Sequence, residues 1–112
     1  MQPNISTDPM YLLLREENIT EFNTRFEAGE KPELSNCDFR GVDLRGLEVT
    51  GLDLSGSYFR QADLRGIDLS QCNLEGASIN SAHISGTLFP KELSAQEIQL
   101  SHHQGTRMRY GN

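Results

Sequence analysis

The sequence lacks tryptophan, contains only two cysteines and has no long hydrophobic run. With 112 residues, 36% of them apolar, it predicts one small domain with a modest core. Cys37 and Cys72 are too few for a disulfide scaffold or a zinc cage. The longest apolar run, Tyr11 to Leu14, is far shorter than the roughly 20 residues that span a bilayer, and the first residues carry no secretory signal pattern. We therefore expect a soluble cytoplasmic protein that does not enter a membrane.

Negative charge predominates, and it is unevenly distributed. The formal net charge is -6. Residues 1–36 carry seven acidic and three basic side chains (net -4), residues 37–91 seven and five (net -2), and residues 92–112 two and two (net 0). Most of the excess acidity therefore lies in the first third of the chain.

A five-residue repeat runs through residues 37–91, here called the repeat stretch. Divided into fives from Cys37, it reads CDFRG, VDLRG, LEVTG, LDLSG, SYFRQ, ADLRG, IDLSQ, CNLEG, ASINS, AHISG and TLFPK. The central residue of every unit is large and apolar: Phe39, Leu44, Val49, Leu54, Phe59, Leu64, Leu69, Leu74, Ile79, Ile84 and Phe89. An apolar residue at every fifth position requires a backbone that returns to the same orientation at each repeat.

Neither regular secondary structure meets that requirement. At about 100° per residue, side chains five apart on an α-helix would spread around its surface without forming a stripe. On a continuous strand, residues five apart would point to opposite faces of the sheet. The repeat stretch is therefore neither a helix nor a plain strand.

Short extended pieces joined by corners do satisfy the pattern. The residue two before each centre is mostly apolar too, which is the spacing of strand alternation. The residue two after the centre is glycine in seven of eleven units, and glycine adopts the positive φ of tight turns without steric cost. Corners every five residues close most naturally as a square, with twenty residues per coil and about 4.8 Å between coils.

These units resemble the pentapeptide-repeat proteins, whose consensus is Ala, then Asp or Asn, then Leu, then two variable residues. ADLRG at residues 62–66 matches fully, and VDLRG, LDLSG, IDLSQ and CNLEG match at the second and third places. The resemblance covers 55 of the 112 residues. It implies an all-β solenoid, a right-handed quadrilateral β-helix, of 55/20 or about 2.75 coils.

The repeat stretch departs from the consensus where Val42, Leu47, Leu52 and Ile67 replace the usual small residue. We expect the first coil to be wider or locally distorted there. Cys37 and Cys72 are 35 residues apart, which puts them on different faces of a twenty-residue coil. We expect both to be buried free thiols, without a disulfide.

Helical caps are predicted on both sides, since an open solenoid end would expose its core and unpaired edges. Asp8-Pro9 starts a helix near 9–17, and Asn18 to Glu21 starts a second near 19–28 that ends at Gly29. Ser94 to Glu97 is a capping box before a helix near 95–104, which Gly105 closes. The single folded domain then consists of an N-terminal tail and cap (1–36), the solenoid (37–91), and a C-terminal helix and tail (92–112).

No enzyme chemistry is predicted. His83 takes an outward repeat position, and His102 and His103 project about 100° apart on a helix, so we expect no metal site. The serines of the repeats have no indicated base and orienting acid, which argues against a nucleophile. The glycines lack the strand-to-helix context of a phosphate loop. We expect no catalytic residues and no cofactor.

The outward positions of the repeats carry the candidate binding surface. Asp43, Arg45, Asp63, Arg65, Arg40 and Arg60 stack at twenty-residue spacing. They form either a solvated face of mutually compensating ion pairs or a surface that recognises another protein.

The favoured function is a small non-enzymatic module for protein–protein interaction, with an unknown protein partner. Some pentapeptide-repeat proteins resemble B-DNA and bind type II topoisomerases such as DNA gyrase, so the resemblance implies a DNA-mimicking modulator as the alternative. About 2.75 coils give roughly 13 Å of solenoid. Duplex DNA of the same length carries on the order of eight negative charges. The repeat stretch has a net charge of only -2. The sequence shows no basic patch with interleaved aromatic residues, so we expect no direct nucleic-acid binding.

The oligomeric state is open between a monomer and a homodimer formed through one end. Met108 and Tyr110 in the tail alternate with Arg107 and Arg109, which is typical of a short strand or a docking segment. Met108 and Tyr110 are therefore the candidate residues for self-association, with the Phe89 end of the solenoid as the alternative contact.

Overall fold

The computed structural model describes residues 5–111, which contain three helices: α1 (Pro9–Arg15), α2 (Ile19–Glu27) and α3 (Ala95–Gln104). The Asp8 side chain accepts a hydrogen bond from the Met10 N–H and begins α1. This helix ends two residues earlier than predicted because Glu17 adopts a φ of 64°.

The other two helices begin and end close to their predicted bounds. Asn18 precedes α2, but its side chain makes no capping hydrogen bond, so only the position of the predicted box is right. At α3, Ser94 Oγ accepts from the Glu97 N–H at 3.1 Å, and Gly105 ends the helix with a φ of 76°. The Glu97 carboxylate bonds to Arg109 instead of returning to Ser94, so the capping box is half formed.

The repeat stretch winds in coils of twenty residues. Parallel bridges join residues twenty apart: Asp38 to Tyr58, Asp43 to Asp63, Asp53 to Asn73, Tyr58 to Ser78, Asp63 to His83, and Asp68 to Leu88. Within residues 5–111 these bridges are isolated, with no extended strands, because each unit contributes only a few residues before the chain turns. Backbone hydrogen bonds such as Leu64 N–H to His83 O (2.9 Å) hold successive coils together.

Central residues of the units fill the interior. The Phe39 and Phe59 rings stack at 5.2 Å with an interplanar angle of 6°, and Tyr11 of α1 continues the column at 5.3 Å from Phe39. Ile84 and Phe89, in the last coil, are only partly buried because no further coil covers them. The core is therefore closed tightly on the side of α1 and α2.

The first coil is distorted at the predicted place. Among the described residues no bridge joins Glu48 to Asp68, although every neighbouring pair on this ladder has one. The Gly51 N–H bonds to Gln71 O, twenty residues later, whereas Gly56 and Gly66 bond nineteen residues later. A cleft of about 510 Å³ between α2 and this part of the coil is lined partly by Phe26 and Leu47. Bulky residues beside the helical cap thus open the ladder locally.

Candidate protein-binding surface

The six candidate surface residues lie on two adjacent walls of the coil. The first wall contains the bridged column Asp38, Tyr58 and Ser78, together with Arg40 and Arg60. The second wall contains the column Asp43, Asp63 and His83, together with Arg45 and Arg65. The structure therefore divides the predicted set into one group of two and one group of four.

The second wall is an ion-pair network that neutralises itself. Arg45 binds Asp43 at 2.8 Å and reaches Asp63 of the next coil at 3.3 Å, and Arg65 binds Asp63 at 2.6 Å. The hydrogen bond from the Arg65 side chain, with the nearby charge of Arg45, holds the Asp63 pKa well below its usual range. Because the arginines remain about half exposed, such pairs add little stability. The four charges order one another and sum to zero.

The first wall begins with a tighter pair. Asp38 is 5% exposed, and Arg40 binds its carboxylate at 2.6 Å. Burial tends to raise the Asp38 pKa, but hydrogen bonds from Arg40 and the charge of Arg40 and Arg15 outweigh it and lower the pKa. Arg15 lies beside this pair and donates to Arg40 O at 2.7 Å.

One coil further on, the first wall has a different composition. Tyr58 stands where most units have an acidic residue, and the Arg60 guanidinium carbon lies 4.2 Å from the centre of the Tyr58 ring. Arg60 donates to Ser78 Oγ and to Gly105 O, each at 3.2 Å. Within residues 5–111, no carboxylate lies within ion-pairing distance of Arg60.

The C-terminal tail adds a second guanidinium to the same ring. Arg107 donates to Gly56 O at 3.1 Å and to Gly76 O at 2.9 Å, and its guanidinium carbon lies 5.0 Å from the centre of the Tyr58 ring. Arg40, Tyr58, Arg60 and Arg107 together are called the Tyr58 site below. Arg107 was not among the candidate surface residues. The signal in the sequence was the tyrosine at a position that is usually acidic.

Met108 and Tyr110 pack against the last coil of their own chain. Met108 is 0% exposed, its N–H donates to Ala77 O at 2.8 Å, and its carbonyl accepts from the Gly76 N–H at 2.7 Å. Tyr110 Oη accepts from the Leu74 N–H at 2.9 Å. The tail is thus a docked segment. Self-association through Met108 and Tyr110 stays a prediction, and Met108 is buried within its own chain.

Both cysteines are free and buried, as expected. Burial raises the pKa of each thiol, that of Cys37 to about 11. Among residues 5–111, no group of three or more His, Cys, Asp or Glu side chains could hold a metal ion. None of the described helices is long and apolar enough to cross a membrane.

A repeating coil with capped ends and charged walls defines the class of protein as a small repeat protein. The family model "Pentapeptide repeats" matches residues 32–61 and 53–89, in eight copies. The matches span residues 32–89, which is 58 of the 112 residues. The chain belongs to the pentapeptide-repeat family, and the resemblance noted from the sequence is confirmed. Searches of curated proteins and of solved structures found no significant match.

Proposed function

We propose that the chain is a non-enzymatic module that binds another protein through the walls of a right-handed quadrilateral β-helix. The shape is supported by bridges that recur every twenty residues and by positive-φ corners between five-residue units. In such a helix the outward side chains are fixed by a rigid ladder, which lowers the entropy lost on binding.

The observation that carries the proposal is that cap residues occupy hydrogen-bonding groups at both ends of the coil. At the first end, Tyr11 Oη donates to Asp38 O at 2.6 Å and Glu17 Oε2 accepts from the Asp43 N–H at 2.7 Å. Asn23 acts twice, donating to Gly46 O and accepting from the Glu48 N–H, each at 2.9 Å.

Part of the second end is capped in the same way, beside the partly buried Ile84 and Phe89. Ser101 Oγ accepts from the Ile79 N–H at 3.1 Å, and His102 O accepts from the Ser81 N–H at 3.1 Å. Met108 and Tyr110 bond to the neighbouring units, as described above. Because an unpaired edge is what templates end-to-end pairing, these bonds direct binding to the walls.

The state of the wall carboxylates supports a non-enzymatic role. Arginine hydrogen bonds lower the pKa values of Asp43 and Asp63, so both stay ionised near neutral pH. A general acid or base works best with a pKa near the operating pH, which these carboxylates do not have.

The alternative, a DNA-mimicking modulator of a type II topoisomerase, requires acidic side chains that are not neutralised. Here Asp38, Asp43 and Asp63 each bind an arginine of the same chain, and although Glu48, Asp53 and Asp68 do not, the net charge of the repeat stretch is only -2. We therefore favour a partner other than a DNA-binding enzyme. A supercoiling assay with purified DNA gyrase should show no inhibition at micromolar protein, and clear inhibition would restore the alternative.

Affinity capture from the native cell tests the main proposal. Three baits are compared: the wild type, the first-wall double variant Arg40→Ala/Arg60→Ala, and the second-wall double variant Arg45→Ala/Arg65→Ala. We expect a specific partner that is lost with one double variant and retained with the other. A partner captured equally by all three baits would contradict binding through these walls and would point to the acidic N-terminal helices.

A further inference from the structure

We infer that the Tyr58 site binds a carboxylate-rich segment of a partner protein. The inference rests on the proposed function and specifies which wall is used and what chemistry the partner presents. It depends on three features: an uncompensated arginine, two guanidinium groups at one aromatic ring, and the distribution of charge over the molecule.

The first feature is a break in the repeat. In VDLRG and ADLRG the acidic residue two before the arginine binds it, as Asp43 binds Arg45 and Asp63 binds Arg65. In SYFRQ that position is Tyr58, and the Arg60 guanidinium lies over the Tyr58 ring. Among the described residues, no carboxylate forms an ion pair with Arg60. The first wall therefore retains the positive charge of Arg60, whereas in the second wall each arginine charge is cancelled by a neighbouring carboxylate.

The second feature is the crowding of positive charge. The guanidinium carbons of Arg60 and Arg107 lie 4.2 and 5.0 Å from the same ring centre. A cation over an aromatic face is stabilised, and the Arg60 guanidinium is held there with no carboxylate among residues 5–111 within ion-pairing distance. The hydrogen bonds of Arg60 within residues 5–111 use Nε and Nη2, which leaves the Nη1 donors for a ligand. A planar guanidinium with available N–H groups is well suited to a carboxylate.

The third feature is the placement of the site on an acidic molecule. The walls beyond the first two carry the exposed side chains of Glu48, Asp53 and Asp68, and the net charge is -6. A short acidic segment can meet the Tyr58 site while the rest of its protein stays away from those walls. A long polyanion such as nucleic acid would be repelled by them. The arginines also lie over the Tyr58 ring, so it is not an open platform on which a base could stack.

Fluorescence anisotropy of a fluorescein-labelled hexaglutamate peptide, at low ionic strength, measures this binding. The test variant Arg60→Gln and the control variant Arg65→Gln remove the same charge from the first and the second wall. We expect saturable binding by the wild type, at least about tenfold weaker binding by Arg60→Gln, and less than about twofold change for Arg65→Gln. Circular dichroism and urea unfolding verify that each variant is folded.

A second variant tests the same site without removing an arginine. Tyr58→Asp restores the usual acidic residue and should pair with Arg60 as Asp63 pairs with Arg65. We expect it to weaken peptide binding at least as much as Arg60→Gln does. Unchanged binding in this folded variant would overturn the inference.

Other outcomes also overturn it. No saturable binding of the peptide to the wild type, or equal losses in Arg60→Gln and Arg65→Gln, would show that the Tyr58 site has no specific affinity for carboxylates. Tighter binding of an oligothymidylate of equal charge would indicate a nucleic-acid ligand instead. If affinity capture still depends on one wall while the peptide fails to bind, this inference fails and the proposed function stands.

Discussion

At the residue scale, the positive φ of the corner residues depends more on hydrogen bonds between successive coils than on residue type. The seven glycine corners of the repeat stretch all have positive φ, as the sequence predicted. Gln61 and Ser81 occupy the same corner position with φ of 61° and 58°, although such values are unfavourable for residues with a Cβ. Hydrogen bonds between coils, such as Gln61 N–H to Asn80 O at 2.9 Å, hold the backbone there. Glycine is thus favoured at these corners without being required.

Two glycine substitutions should separate backbone strain from crowding. At Gly41, with φ of 72°, an added Cβ would meet nothing within 4 Å, so Gly41→Ala should cost only the strain of about 1–2 kcal/mol. At Gly56, with φ of 68°, the Cβ would collide with the Asn36 side chain, so Gly56→Ala should cost about 1–3 kcal/mol more. Urea unfolding measures both free energies, and equal losses would contradict the predicted collision.

The Cys37 thiol should make stability fall at alkaline pH. Burial, with the nearby charges of Asp8 and Glu33, raises its pKa from 9.0 to about 11. Below pH 9 the thiol is neutral in both states, whereas between pH 9 and 11 the unfolded chain ionises first and is favoured. The free energy of unfolding should therefore decrease less over this range in Cys37→Ala than in the wild type. Parallel pH profiles would contradict a shifted thiol.

At the element scale, the sequence predicts the units and the helices better than it predicts their contacts. The period of five, the corners and the start of α3 follow from local signals that repeat or cap. The bond from Tyr11 to Asp38 O joins residues 27 apart, and that from Arg107 to Gly56 O joins residues 51 apart. Such contacts depend on how the caps dock, which no local pattern specifies. The Tyr58 site went unrecognised for that reason, although the exception in SYFRQ marked one of its residues.

Removing the Tyr11 hydroxyl tests whether α1 stabilises the first end of the coil. Tyr11 is 0% exposed and donates to Asp38 O at 2.6 Å. Tyr11→Phe keeps the ring that packs on Phe39 but leaves this carbonyl without its donor, which should cost about 1–3 kcal/mol in urea unfolding. The control Tyr110→Phe removes a hydroxyl from a half-buried side chain and should cost less. A loss for Tyr11→Phe no larger than for the control would contradict the capping role.

At the scale of the whole molecule, the hydrogen bonds of the caps and the unequal charge of the two walls both favour binding through the first wall. The caps satisfy edge groups that would otherwise pair with another coil, and the second wall neutralises its own charges. The first wall retains positive charge at the Tyr58 site, opposite in sign to the net charge of the chain. We therefore expect the protein to be a monomer that binds its partner through the first wall, not through an end of the coil.

Sedimentation equilibrium at millimolar protein is the most direct test of the claim that the caps close both ends. We expect a single species of 12.6 kDa at all concentrations. A species of twice that mass that persists on dilution would contradict it. Loss of that dimer on deleting residues 106–112 would assign the contact to the tail.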